Sequence, residues 1–527
     1  MIHSLPRVVA PQSLQVQLTD TEKSVCELLD QCTTYLNKEK HISTTCRIAG
    51  GWVRDKLLGS ESNDIDVALS NIMGLPFAQH LSEYAQTQGI TVGTVSKIEQ
   101  NPDQSKHLET ATFKVFGLDI DLVNLRSEEY AEGSRIPTEV SFGTPLQDAL
   151  RRDITINALF YNIHTRAVED LTERGLEDLR LGIIRTPLPP LETFRDDPLR
   201  ILRCIRFASR FGFEMVDELK DAARNPSIQA ALISKVARER VGDEVCKMLK
   251  GRDPFCSVRL IYELNLYEAI FLVIPDEIKS QVPNYSSCSL RDGLKAVCIL
   301  HTFLNESKGN LPALHPCLTG SLDLSSKARL QFACLLSPLR HMFYQDKKNK
   351  SHQIVESLLR DSLKLGTQDH LLDGVPALHE ASKLISDKIL GSTQSKDRVD
   401  IGLFLRQKCL HNPNTGSLWS TSIFFSLIMD LVPTYDYDGN TFNDEASKII
   451  SSYNAFVTHI LELNLHNDVD MKPLLNGKEV MAILGVSKSG PWMSTVLGDI
   501  IVWQLGHPTG SKTECTEWLR KQDVKVG

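Results

Sequence analysis

The stretch Gly50-Gly51-Trp52-Val53-Arg54-Asp55, followed nine residues later by Asp64-Ile65-Asp66, decides the predicted fold. A mostly apolar run, Cys46 to Ala49, leads into the two glycines, and a second apolar run, Ile65 to Leu69, begins between the two aspartates. This order predicts a strand, a turn into a helix, and a second strand. Residues i and i+2 of a strand point to the same face, so Asp64 and Asp66 are predicted to converge on one site.

The residue types in these two stretches suit the binding of a triphosphate. Two convergent carboxylates can hold a divalent metal against phosphate oxygens. Gly50 and Gly51 would let the backbone approach a phosphate at a helix start, with Arg54 as a charged clamp. Each motif is weak alone, but their succession is the layout of a nucleotidyltransferase palm.

Length and composition set the outer limits of the prediction. At 527 residues the chain is too long for a single core, and 42% hydrophobic with 24% charged residues is ordinary for a soluble globular protein. A net charge of −8 means that any nucleic-acid binding must come from local patches. No apolar run is long enough to predict a membrane span. The twelve cysteines are scattered singly, which favours reduced thiols over a structural zinc site.

Four segments are predicted along the chain: a flexible leader over 1–20, an α+β head over 21–188, a helical neck over 189–270, and a helical body and tail over 271–527. The head is expected to hold a small mixed sheet of about five strands with helices on one side. A cluster of prolines near 188 marks its end, and helical periodicity dominates afterwards. The leader has too few arginines for a clear mitochondrial transit peptide.

Three further groups of residues could carry chemistry. Asp119 and Asp121 share a strand face, and either could supply a third carboxylate as base, although a solvated strand edge is the plain alternative. A helix starting near Arg152 would place Asp153 and Asn157 on one face, where they could bind ribose hydroxyls, or simply cap a surface helix.

The third group opens the predicted neck. Asp196-Asp197-Pro198 is a typical helix start, followed by arginines that form one stripe of that helix. This stripe could contact phosphates or be a solvated face. Its members are Arg200, Arg203, Arg206 and Arg210.

Together these segments resemble the tRNA nucleotidyltransferases that build the 3′-terminal CCA, in their bacterial–eukaryotic class. The resemblance covers most of the first 270 residues and rests on the order of the motifs. They are GGWVRDKLLG, NDIDVAL, ETATFKVFGLDIDLVNLR, RRDITINAL, DLTERGLEDL and RDDPLRILRCIRFASRFGF. A C-terminal segment, PLLNGKEVMAILGV, also resembles eukaryotic members.

The resemblance implies a polymerase-β-like head, an all-helical neck, body and tail, and a role for each motif. Asp64 and Asp66 would bind Mg²⁺ and catalyse transfer, with Asp121 as the third carboxylate. The triphosphate and ribose would be held by Gly50, Gly51, Arg54, Asp55, Arg152, Asp153 and Asn157. Asp197 and Arg200 would select the incoming base, and the loop Glu99 to His107 would correspond to a mobile element.

The chemistry of the two bases agrees with such a reader. Cytosine and adenine each present an amino donor beside a ring-nitrogen acceptor, which a carboxylate and an arginine can satisfy, whereas uracil and guanine place an N–H where the arginine must donate. We therefore predict template-independent addition of CCA to tRNA from CTP and ATP. The rivals are a relative that adds only CC or only A, a poly(A) polymerase, and a non-catalytic tRNA-binding protein.

Location follows from the resemblance, which predicts cytoplasm and nucleus and leaves mitochondrial import open. The sequence leaves the oligomeric state undetermined.

Overall fold

The computed structural model describes residues 5–98, 110–130, 137–281, 290–305, 311–320, 322–391 and 397–524. The side chains of residues 97, 98, 127–130 and 137–141 are outside this description, as is the predicted loop Glu99 to His107. The described chain forms two compact units. One extends to Val273 and includes Asp361–Lys364, and the other comprises Ile274–Arg360 and the residues from Leu365 onward.

A seven-stranded mixed sheet forms the base of the first unit, in the order β3-β4-β5-β2-β1-β8-β9. Only the β2–β5 pair is parallel among these neighbours. A separate hairpin consists of β6 and β7. The strands are β1 (Cys46–Ala49), β2 (Ile65–Leu69), β3 (Ser96–Ile98), β4 (Thr110–Val115), β5 (Leu118–Asn124), β6 (Arg126–Tyr130), β7 (Pro137–Phe142), β8 (Phe160–Asn162) and β9 (Ala167–Glu169).

The remaining elements of this unit are helical, except for one short parallel pair formed by β10 (Ile183–Ile184) and β11 (Glu214–Met215). The helices are α1 (Asp20–Glu39), α2 (Gly51–Leu57), α3 (Gly74–Thr87), α4 (Pro145–Leu150), α5 (Gly175–Leu181), α6 (Pro190–Asp196), α7 (Arg200–Phe211), α8 (Asp217–Arg224), α9 (Pro226–Lys235), α10 (Arg238–Leu249), α11 (Pro254–Glu263) and α12 (Tyr267–Phe271).

Local sequence explains the main elements of this unit. A capping box between Thr19 and Glu22 starts α1, whose apolar stripe is buried. In β2 the side chains of Ile65 and Val67 are buried while Asp66 between them is exposed, as alternation in a strand requires. The sheet therefore presents Asp66 on the face opposite to its buried neighbours.

Two features of the first unit differ from the sequence-based expectation. The sheet has seven strands rather than about five, because β8 and β9 are three-residue strands too short to give a periodic signal. The β10–β11 pair joins residues on both sides of the predicted head boundary at 188, so head and neck share one compact unit.

The N-terminal residues also differ from the expected flexible leader. The N–H of Leu5 donates to Asp253 at 2.7 Å, and that of Val8 donates to the carbonyl of Phe211 at 2.8 Å. Arg7 packs against Gly182, which ends α5 with a φ of +73°. Residues 5–8 are thus held against the helical part of the first unit.

The second unit is helical apart from two short hairpins. Its central helix, α20, is buried around nearly its whole circumference and packs against α14, α16 and α18. The helices are α13 (Asp276–Lys279), α14 (Arg291–Leu304), α15 (Pro316–Thr319), α16 (Leu324–Leu335), α17 (Ile354–Ser357), α18 (Leu371–Leu390), α19 (Arg398–Leu405), α20 (Trp419–Leu431), α21 (Asp444–Glu462), α22 (Leu465–Asp468), α23 (Gly477–Leu484), α24 (Trp492–Gly506) and α25 (Lys512–Arg520).

The hairpins are β12–β13 (Phe343–Gln345 with Ser351–Gln353) and β14–β15 (Tyr435–Asp436 with Thr441–Phe442). Each turn contains an asparagine with positive φ, Asn349 and Asn440, which favours tight reversal of the chain. None of the described helices is both long and apolar enough to span a membrane.

Candidate active site

An acidic row crosses the sheet of the first unit. Asp66 of β2 and Asp121 of β5 are direct partners in the parallel register, and Thr112 of β4 is the next partner in the same row. Thr112 donates its hydroxyl to Oδ1 of Asp121 at 2.7 Å. Asp64 lies just before β2 and is exposed, as is Asp66. The structure therefore brings together the three carboxylates that the sequence predicted as catalytic.

The electrostatics of this row favour a bound cation. Loss of hydration raises the pKa of Asp66 to about 6, against the lowering effect of nearby Arg152. The charges of Asp121 and Asp64 add to the rise, because like charges disfavour a further ionisation. The surface of Asp66 is nevertheless open to water, so the site is a concave acidic edge accessible to ligands.

Arg152 is fixed beside this acidic edge by a buried carboxylate. Asp148 on α4 is 1% exposed and accepts Nη2 of Arg152 at 2.9 Å. Nη1 of Arg152 donates to the carbonyl of Asn157 at 3.2 Å. A Cβ on Gly50 would lie 2.7 Å from that same Nη1, and Gly50 has a φ of +72°. Gly50 thus leaves the space that the Arg152 guanidinium occupies.

Asp148 also binds Arg151 and so holds two adjacent guanidinium groups. Burial alone would raise the pKa of Asp148, but the charges of Arg151 and Arg152 outweigh it and lower the pKa to about 2. The sequence analysis missed Asp148. Its spacing of three and four residues from the two arginines was the available signal.

Comparison with known proteins identifies the family. A model described as "Poly A polymerase head domain" matches residues 46–185, and one described as "Probable RNA and SrmB- binding site of polymerase A" matches residues 212–277. The mitochondrial CCA tRNA nucleotidyltransferase of Saccharomyces cerevisiae is 37% identical over 96% of this chain and 94% of its own. A tRNA nucleotidyltransferase of Schizosaccharomyces pombe is 36% identical over 97% of this chain and 99% of its own.

The chain belongs to the CCA tRNA nucleotidyltransferase family.

Solved structures agree with the fold of this family. A Thermotoga maritima CCA-adding enzyme complexed with tRNA matches with a TM-score of 0.57 at 18% identity, over 95% of each chain. A CCA-adding enzyme in complex with CTP matches with a TM-score of 0.59 at 20% identity, also over 95% of each. The resemblance stated from the motifs is confirmed, as is the prediction of an α+β head followed by helices.

Nucleotidyltransferases of this family use a divalent metal. Within the described ranges, no three His, Cys, Asp or Glu side chains are close enough to form a metal site by themselves. Asp64 and Asp66 form neither an ion pair nor a side-chain hydrogen bond with any described residue, so their oxygens are available. These hard donors fit a divalent cation, whose charge would relieve the repulsion around Asp66.

A buried network lies beneath the site and engages other predicted ligands of the CCA tRNA nucleotidyltransferase motifs. Arg54 is 3% exposed and donates to Oδ1 of Asp55 at 2.8 Å and to Oδ1 of Asn157. Burial lowers the pKa of its guanidinium, which lies 5.1 Å from the ring centre of Phe207. In this structure Arg54 binds protein groups, and its predicted contact with the triphosphate stays a prediction.

The predicted helix at Asp153 is wrong. Ile154 is extended, with φ −141° and ψ 151°, and only a 3₁₀ turn follows at Thr155–Asn157. Asp153 still meets Asn157, because Nδ2 of Asn157 donates to Oδ1 of Asp153 at 3.1 Å. The reason for the break is local, since Asp153 accepts the N–H of Ile154 and so competes with helix formation.

The arginine stripe of α7 is an internal set of contacts rather than a free basic face. Each arginine binds a protein oxygen. Arg203 pairs with Asp153 at 2.7 Å, Arg206 with Glu244 at 2.6 Å, Arg210 with Asp55 at 3.4 Å, and Arg200 with the carbonyls of Thr193 and Arg151 at 3.2 and 2.6 Å. Burial would raise the pKa of Asp153, but Arg203 and Asn157 lower it overall. These pairs connect the catalytic motifs to α7.

Asp197 and Arg200 lie where α6 gives way to α7. Asp197 ends α6 in an extended conformation and accepts the N–H of Leu199 at 3.1 Å. Its other oxygen pairs with Arg240 of α10 at 2.9 Å, a contact that no motif indicated. The reading of a base by Asp197 and Arg200 stays a prediction.

Proposed function

We propose that this protein adds cytidine, cytidine and adenosine to the 3′ end of tRNA, from CTP and ATP and without a nucleic-acid template. The single observation that carries the proposal is the acidic row, with Asp64, Asp66 and Asp121 beside the fixed guanidinium of Arg152. Full-length similarity to enzymes named for CCA addition supports the choice of substrate.

Asp64 and Asp66 would hold the divalent cation, which we propose to be Mg²⁺. When bound, the cation neutralises charge on the triphosphate and favours ionisation of the attacking hydroxyl. Asp121, held by Thr112, is placed to accept a proton from the 3′ hydroxyl of tRNA. Arg152, fixed by Asp148, offers positive charge to the triphosphate that leaves as pyrophosphate.

The base would be selected by Asp197 and Arg200. The carboxylate accepts the amino group that cytosine and adenine share, and the guanidinium donates to the adjacent ring nitrogen. The remaining predicted contacts, from Gly50, Gly51, Arg54, Asp55, Asp153 and Asn157, would shape the triphosphate and ribose site. The first two relatives are named as mitochondrial enzymes, which supports a mitochondrial location, and we propose cytoplasm and nucleus in addition.

Incorporation assays on two tRNAs test the proposal. One tRNA ends at the position before CCA and the other ends in CC, and each is offered radiolabelled CTP or ATP. Full CCA addition requires that the first accept two cytidines and one adenosine and the second a single adenosine. CC-only or A-only products identify a specialised relative, and a long adenosine tail identifies a poly(A) polymerase.

A double variant tests the metal-binding carboxylates. Asp64→Ala with Asp66→Ala is expected to abolish incorporation of both nucleotides. A matched control is Asp217→Ala with Asp221→Ala, which removes two carboxylates from the exposed surface of α8. Incorporation that survives in the first variant, or is lost equally in the control, would contradict the mechanism. Binding of tRNA without any turnover in the native protein would indicate a non-catalytic factor.

A further inference from the structure

Arg240 stands beside the residues that we assign to nucleotide selection. It belongs to the first turn of α10, and its Nη2 donates to Oδ2 of Asp197 at 2.9 Å. Both side chains are mostly buried, at 22% exposure for Arg240 and 16% for Asp197. A charge-assisted hydrogen bond in such surroundings restricts the carboxylate more than an exposed ion pair would.

Both oxygens of Asp197 are thereby oriented. Oδ1 accepts the backbone N–H of Leu199, and Oδ2 accepts Arg240. With both oxygens anchored, rotation of the carboxylate would break at least one of these bonds. An acceptor that must distinguish an amino group from a carbonyl gains selectivity from such fixed geometry, because it cannot turn away from a repelling oxygen.

The second nitrogen of Arg240 differs from the guanidinium of Arg200. Nη1 of Arg240 is buried and has no hydrogen-bond partner among the described residues. Arg200 instead donates to the carbonyls of Thr193 and Arg151 and is 8% exposed. A buried donor without an acceptor is costly, so an arrangement that keeps one beside Asp197 calls for an explanation beyond stability.

We propose that Arg240 is a positioning residue for nucleotide selection, which fixes the Asp197 carboxylate in the orientation that accepts the amino group of cytosine or adenine. This inference rests on the proposed function. Without Arg240, Asp197 keeps only its bond to Leu199 and can turn its free oxygen away from the carbonyl of uracil or guanine. Rejection of UTP and GTP then weakens, whereas the carboxylates that carry the chemistry are untouched.

The test measures kcat/KM for CTP and for UTP on a tRNA that ends before CCA, and for ATP and GTP on a tRNA that ends in CC. In Arg240→Gln the preference for CTP over UTP is expected to fall by about tenfold, the effect of one misdirected hydrogen bond. Arg240→Lys retains the charge and is expected to recover part of the preference. The ratio does not depend on the fraction of folded enzyme, so it remains informative if a variant is unstable.

Arg206→Gln is the matched control. Arg206 forms the same kind of buried bond between α7 and α10, to Glu244 at 2.6 Å, but does not touch Asp197. Its loss is expected to reduce stability and leave the CTP to UTP preference unchanged. An unchanged preference in Arg240→Gln, or an equal fall in Arg206→Gln, overturns the positioning role. Failure of the native protein to incorporate either CTP or ATP would instead overturn the proposed function.

Discussion

Replacing Asp148 by asparagine tests how the site holds its arginines. The side chain is buried and accepts Arg151 and Arg152, and these charges lower its pKa from 3.8 to about 2. That shift corresponds to about 2 kcal/mol of folding free energy at neutral pH. The asparagine side chain would keep the volume but lose the charge, so Asp148→Asn is expected to lower the free energy of unfolding of this unit by about 2 kcal/mol.

The sign of the pH dependence follows from the direction of the shift. The folded state favours the ionised carboxylate, so the stabilisation is present above about pH 4 and is lost as the pH falls through 2. The difference between the native protein and the variant should therefore shrink by roughly half at pH 3 compared with pH 7. A stability difference that arose from packing alone would not change in this way.

Trp52 provides a reporter confined to the unit that contains Asp148. It is the one tryptophan before Val273, it is 1% exposed, and its Nε1 donates to Glu22. With 5-fluorotryptophan incorporated, urea unfolding of this unit can be followed by fluorine NMR at pH 7 and pH 3. Asp217→Asn, at an exposed position of α8, is the control and is expected to change stability by less than about 0.5 kcal/mol. Equal stability of Asp148→Asn and native protein at pH 7, or a pH-independent difference, would refute the reasoning.

Three other perturbations give distinct outcomes. Gly50→Ala places a Cβ 2.7 Å from Arg152 and should lower nucleotide incorporation about a hundredfold, whereas Gly59→Ala, with a similar φ of +75° but open space, should show only backbone strain; equal losses would contradict the role of Arg152. Thr112→Val removes the hydroxyl that holds Asp121 and should reduce kcat about tenfold with little change in KM for CTP, so an unchanged kcat would argue against Asp121 as base. Burial lowers the pKa of His379 to about 4, so stability of the second unit should fall by about 3 kcal/mol from pH 6.5 to 4, as urea unfolding would measure; His379→Gln should remove most of this dependence and exposed His370→Gln should not.

The motifs predicted the three carboxylates and their grouping because the spacing within a strand is a local property. Asp64 and Asp66 share a face at i and i+2, and the same rule applied to β5 placed Asp121 on one face. The long apolar and amphipathic segments likewise indicated the α+β head and the helical remainder. Sequence alone was weaker for the three-residue strands β8 and β9, where periodicity has too few residues to register.

Only the tertiary structure decided the pairing of charges. The arginines of α7 form a stripe in the sequence whether they face solvent, phosphate or protein, and their partners Asp153, Glu244 and Asp55 lie 38 to 155 positions away. Ion pairs between distant segments depend on which elements pack together, and the local spacing rules of a helix do not encode that. The sequence by itself thus determined the chemistry of Gly50-Gly51 and Asp64-Ile65-Asp66, while the fold determined that Asp148 and Arg240 hold the groups around them.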